Sequence, residues 1–147
     1  MELEQQVCSL ELAKKLKELG IKQKSYFYWK TDLTTEKSQH YMKPYLSEEP
    51  DEYAKLKKIG SIPDLVYQHY VELYSAFTVA ELGEMLPNSF TFEDVGFWLK
   101  QIRGKHFFQI SYEGETLLNR LSANTEADAR AKMLIYLLEN SLTNLSL

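Results

Sequence analysis

Three histidines, one cysteine and a few neighbouring carboxylates are the side chains from which this chain could build a reaction. His40, His69 and His106 lie far apart in sequence. His69 and Glu72 have the i, i+3 spacing that sets two side chains on one helix face. A metal site needs three or four converging ligands, so the pair reads as a structural histidine hydrogen-bonded near a helix surface. His106 falls beside Gln101 near a hairpin turn, and the sequence offers it no partner for general-base work. Glu93–Asp94 and Glu113–Glu115 are close acids, but nothing in their spacing predicts the separation that paired-carboxylate chemistry requires. They read as loop residues or caps. Cys8 precedes a candidate helix start, where the helix dipole would lower a thiol pKa. With no histidine beside it, a small packed residue is the expectation. No G-x-S-x-G, P-loop or G-x-G-x-x-G pattern occurs. No catalytic residue, metal or cofactor is therefore assigned, and the reading leans away from an enzyme.

The strongest candidate for a functional surface is one side of a hairpin spanning Phe97 to Tyr112. Phe97, Leu99, Phe108 and Ile110 alternate onto one face. Trp98, Lys100, Ile102, Lys105, Phe107 and Gln109 alternate onto the other. A turn at Arg103–Gly104 would keep the first face coherent, and a longer loop is the alternative. Aromatics interleaved with lysines can stack bases and neutralise phosphates, or anchor a protein contact. The structural alternative is a helix covering this face, since sheets in α+β domains usually have a covered side. Trp98, Lys100, Ile102, Lys105 and Phe107 are thus the candidate partner-binding set. A protein partner is preferred to nucleic acid because the formal net charge is −4 and no basic arm exists.

The elements that must position this surface can be read in part. Ser9 to Gly20 reads as a helix, with Ser9 as N-cap, Leu12, Ala13, Leu16 and Leu19 inward, and Gly20–Ile21 as a glycine C-cap. Its lysines form a solvated face. Ser25 to Lys30 reads as a strand with Phe27 and Trp29 on one side and Tyr26 and Tyr28 on the other. Thr31 to Gln39 reads as a loop, His40 to Tyr45 as an edge strand limited by Pro44, and Ser47 onward as a helix start. Ile62 to Tyr74 fits helix or strand, and Tyr67, Tyr70, Tyr74 and Phe77 make a core stripe only if it is helical. Thr78 with Glu81 is a capping box opening a helix that Pro87 ends. The polar residues from Gly114 to Asn124 read as a connection.

The last helix opens at Thr125, with Asp128 placed to reach back as the second half of a capping box. Ala127, Ala131, Leu134, Ile135 and Leu138 form one stripe, and Met133, Tyr136 and Leu137 widen it. A helix so apolar is covered on more than one side: by the sheet and the tail from Leu142, or by a second chain. Met133, Tyr136 and Leu137 are accordingly the candidate self-association set.

At 147 residues, with 44% hydrophobic and 13% aromatic content, the chain is long enough for one domain with its own core. The single cysteine excludes an internal disulfide. The acidic N-terminus lacks a signal-peptide pattern, and no apolar run reaches membrane-spanning length, so a cytoplasmic protein without a membrane role is expected. The architecture expected is α+β: a small antiparallel sheet of about four strands against three or four helices, with a long C-terminal helix.

Three segments carry a resemblance: Glu11 to Gly20, Phe77 to Pro87, and Glu126 to Leu138. Together they resemble small uncharacterised proteins encoded by phages, prophages and other mobile elements. The resemblance implies a mobile-element accessory protein in a bacterial cytoplasm and helices against a small sheet. It implies no functional residue. The function expected is a non-enzymatic protein–protein interaction. A single-stranded nucleic-acid module using the Trp98–Phe107 face is the alternative.

Overall fold

The computed structural model describes residues 1–32, 45–48, 60 and 71–143. Among these the order is α1 (Leu3–Gln6), α2 (Leu10–Glu18), β1 (Tyr28–Asp32), β2 (Tyr45–Ser47), β3 (Val71–Ser75), α3 (Val79–Met85), β4 (Ser89–Phe92), β5 (Val95–Arg103), β6 (Phe108–Glu113), β7 (Leu117–Ala123) and α4 (Glu126–Glu139). The strands form two antiparallel sheets, β2-β1-β3 and β4-β5-β6-β7. The fold is α+β with a long C-terminal helix, with two sheets where the sequence suggested one.

The helix ends follow the capping chemistry in the sequence. At α2, Gly20 takes a φ of 91°. Its N–H donates to the Lys17 carbonyl and that of Ile21 to the Leu16 carbonyl, both at 3.0 Å. This is the Schellman closure, which glycine adopts without a Cβ penalty. At α3 the capping box forms: Glu81 N–H donates to Thr78 Oγ1 at 3.2 Å, and Thr78 N–H donates to Glu81 Oε2 at 2.8 Å.

The start of α4 departs from expectation. Thr125 Oγ1 accepts from the Asp128 N–H at 3.1 Å, so half of the motif stands. The Asp128 carboxylate does not turn back to Thr125. It accepts the backbone N–H of Ser9 at 2.7 Å, holding the N-cap residue of α2 against the first turn of α4. A tertiary contact takes the role assigned to a local one.

One apolar cluster joins α2, α3, α4 and the inner face of the four-stranded sheet. Ala127, Ala131, Met133, Leu134 and Leu137 of α4 are fully buried in it with Leu16, Phe77, Leu82, Ile110 and Tyr112. The chain's own elements therefore cover the helix. Met133 and Leu137 are unavailable to a second chain without opening the core, and Tyr136 is only partly buried against the same cluster. This removes the reason for seating a self-association surface there.

Several segments differ from the sequence reading. β1 begins at Tyr28, not at the expected Ser25, and runs through Thr31 and Asp32, where a loop is expected. Trp29 packs on the core and donates its indole N–H to the Cys8 carbonyl at 2.9 Å, while Tyr28 and Lys30 are buried on the opposite side of the strand. Ser47 is the last residue of β2, and the rest of the helix expected after it lies outside the described residues. Tyr74 lies in β3, so the proposed helical tyrosine stripe fails at that end. Two strands lie where the sequence pattern predicts none. The stretch from Gly114 to Asn124 contains β7. β4 pairs with β5 around a two-residue turn at Glu93 and Asp94, whose φ values of 49° and 64° are the left-handed pair of a type I′ turn. Asn-Gly is the usual occupant, so Glu-Asp carries no recognisable signal. His40, His69, Tyr67, Tyr70 and the segments 33–44, 49–59 and 61–70 lie outside the described residues.

Candidate interaction surface

The hairpin forms, but its turn sits two residues beyond the expected place. Gly104 N–H donates to the Phe107 carbonyl at 2.9 Å, enclosing Lys105 and His106. The pairs are Trp98 with Glu113, Leu99 with Tyr112, Gln101 with Ile110 and Arg103 with Phe108. Two causes favour this register. It brings Tyr112 opposite Leu99 and into the core, where its hydroxyl donates to the Pro87 carbonyl at 2.6 Å. It also sets Gly104 across from Phe107, whose ring occupies the space a Cβ at 104 would need. Moving each partner by an even number of residues leaves every side chain on its original face. The partition into faces is therefore as read, although the pairings are not.

The five candidate residues separate accordingly. Trp98, Lys100 and Ile102 line the outer face of β5, an interior strand of its sheet. Phe107 lies beside Gly104 at the turn end of that face. Lys105 is a turn residue and does not belong to the strand face. His106 shares the turn, exposed, and does not point inward beside Gln101. The face is open to solvent: Trp98 is 61% exposed, Ile102 42% and Phe107 46%. The alternative in which a helix covers it does not hold.

Between the apolar points lies a compact ionic group. Glu113 accepts from Arg120 Nη2 at 3.0 Å, and Lys100 Nζ stands 3.2 Å away. These two cations, with the Ser111 hydroxyl, hold the Glu113 carboxyl below the usual glutamate range, Arg120 contributing most. Ser111, opposite both Lys100 and Arg120 in the ladder, is buried on an otherwise open face. Both cations of this surface are thus engaged by one anion. Leu117, opposite Glu113 on β7 and 48% exposed, extends the apolar border. The sequence reading missed Glu113, Arg120 and Leu117 as parts of this surface because β7 was not recognised.

A second concavity, of about 640 Å³, opens at the turn end of the molecule. Arg103, Lys105, His106 and Phe107 form one side, Thr78 to Ala80 another, and α1 with Thr125 and Glu126 the rest. Glu126 is bound by Arg103 at 2.7 Å and Arg130 at 2.8 Å. Arg130 also crosses α3 where Gly83 leaves room, and donates to Gln101 Oε1 at 3.3 Å.

Among the described residues, the cysteine, histidine and carboxylates that could do chemistry do not converge. Cys8 is fully buried, and desolvation pushes its thiol up to about 12. At neutral pH it is a protonated core residue, as its packed reading anticipated. Glu93 and Asp94 form the β4–β5 turn, and Glu113 belongs to the ionic group on the outer face. Glu72 lies on β3, not on a helix. Among the described residues no three of His, Cys, Asp and Glu group as metal ligands, and no helix is long and apolar enough to cross a membrane. No family model, curated protein or solved structure matches the chain.

Proposed function

We propose that this chain is a non-enzymatic accessory protein of a phage or other mobile element, acting in a bacterial cytoplasm by binding a protein partner through the outer face of its four-stranded sheet. The observation that carries the reading is Trp98. It is a large aromatic on an interior strand, mostly exposed, on a face that the fold does not use for its core. Exposed aromatics on a rigid frame have the form of interface hot spots, since burial on binding costs them little conformational freedom. Ile102, Phe107 and Leu117 supply apolar surroundings. The Lys100–Glu113–Arg120 group supplies fixed polar partners and charges that a mismatched partner would have to desolvate. The phage assignment rests on the resemblance of the three segments quoted above.

A second reading is a single-strand nucleic-acid platform, favoured by Trp98 lying beside Lys100. Glu113 weighs against it, because a carboxylate bound to both cations leaves little positive charge for phosphates.

The test compares wild-type and Trp98→Ala baits in nuclease-treated bacterial lysate, then repeats binding with the purified prey. A protein that binds wild type directly and loses affinity for Trp98→Ala supports the reading. Prey held equally by both baits would overturn the surface assignment. Recovery abolished by nuclease, with single-stranded oligonucleotide binding that weakens as salt rises, would replace it with the second reading.

A further inference from the structure

The edge strand β4 of the larger sheet is shorter than its neighbour β5. β5 has nine residues and β4 four, and β4 pairs only with Val95 to Trp98. One more bond, from Leu99 N–H to the Asn88 carbonyl at 2.8 Å, closes that side. The next residue back along the chain is Pro87, which has no N–H and whose carbonyl is taken by Tyr112. Pairing therefore stops, and the chain turns away into α3. Successive residues of an antiparallel strand aim their backbone groups to alternate sides. Because Leu99 aims toward β4, Gln101 and Arg103 do too. Among the described residues nothing pairs with their N–H and C=O groups on that side, and all four residues from Lys100 to Arg103 are exposed. An interior strand thus ends as an open edge, and that edge runs into the 640 Å³ concavity at Arg103.

The rim at this point is cationic. Of the side chains lining it, Arg103 and Lys105 are cations and Glu126 is the one anion, held by both Arg103 and Arg130. We infer that this edge receives an extended acidic segment of a partner protein, added to β5 as a strand in line with β4. Its backbone would bond Gln101 and Arg103, as in strand addition to an open sheet edge. Its carboxylates would lie toward Arg103, Lys105 and His106, and its inward side chains would meet Val79 and Ala80. The site is separate from the Trp98 face and does not depend on it.

The experiment uses the full chain labelled with ¹⁵N and, as probe, an acetylated synthetic peptide of alternating Val and Glu. The expected result is saturable binding, with amide exchange of Gln101 and Arg103 slowed about tenfold or more, since exchange reports access to each N–H. Lys105→Glu with His106→Glu, both in an exposed turn, should weaken binding by about tenfold, because charge opposes the ligand. Trp98→Ala should bind the peptide unchanged, which separates this site from the face proposed above. No saturable binding, binding without protection at Gln101 and Arg103, or equal affinity of the double variant or of a Val-Lys peptide would each overturn the inference. Protection of those amides in the free protein that grows with protein concentration would also overturn it, since the occupant would then be a second copy.

Discussion

The two faces of β5 have opposite fates although they alternate residue by residue. Inward, Phe97 joins Phe108, Ile110 and Tyr112 in a core closed by α4. Outward, Trp98 and Ile102 stand in solvent around a three-member ionic group. Folding accounts for the first set, because burying apolar area stabilises the chain. It gives no account of a mostly exposed tryptophan. The contrast teaches where to look for function: at side chains whose type the fold does not need.

The contrast can be broken most easily from the inside. Leu134→Ala removes a fully buried side chain at the centre of α4 and should cost about 2–5 kcal/mol of stability, measured by urea unfolding. Trp98→Ala should do the reverse. Its stability change should stay within about 0.5 kcal/mol, while partner affinity falls by about 2 kcal/mol or more. A large stability loss for Trp98→Ala would mean that the outer face is structural after all.

Changes at the edges of the core should have smaller effects. Asp128→Ala takes the acceptor from the Ser9 N–H and should cost about 1–2 kcal/mol, the range for a lost charged cap. The thiol of Cys8 should resist alkylation at neutral pH in the native state and react once urea unfolds the chain. Rapid native labelling would contradict its burial.

The smallest effect concerns Glu113. Its carboxyl lies below the usual range when folded. Its contribution to stability is therefore present above the unfolded glutamate value, about 4.3, and lost as pH falls through the lower folded value. Arg120→Met should move the Glu113 titration, followed by ¹³C NMR, up toward that ordinary value. High salt should do likewise by screening the two cations.

Much of the fold was legible because it is written locally. Thr78-x-x-Glu81, Gly20 after a lysine-rich turn, and the alternation around Phe97 each specify a conformation within a few residues. The candidate surface was legible to the same extent. Alternation placed Trp98, Lys100 and Ile102 together, and Phe107 with them for any loop that changes the pairing by an even number of residues. β4 was not legible, because its type I′ turn carries Glu93 and Asp94 where glycine or asparagine would have marked it. β7 was not, because Leu117 to Ala123 carries a broken alternation around the irregularity at Tyr112 and Glu113.

Local sequence set the bounds of α2 and α3, the start of α4 at Thr125, the strand character around Trp98, and which hairpin side chains share a face. These depend on dihedral preference, capping and the period of two. The tertiary structure alone decided the register of that hairpin, the coverage of α4 by its own chain, the Asp128 link to Ser9, and the unpaired edge at Gln101 and Arg103. Each of these depends on which distant groups fill a given space or accept a given hydrogen bond, and local spacing holds no information about that.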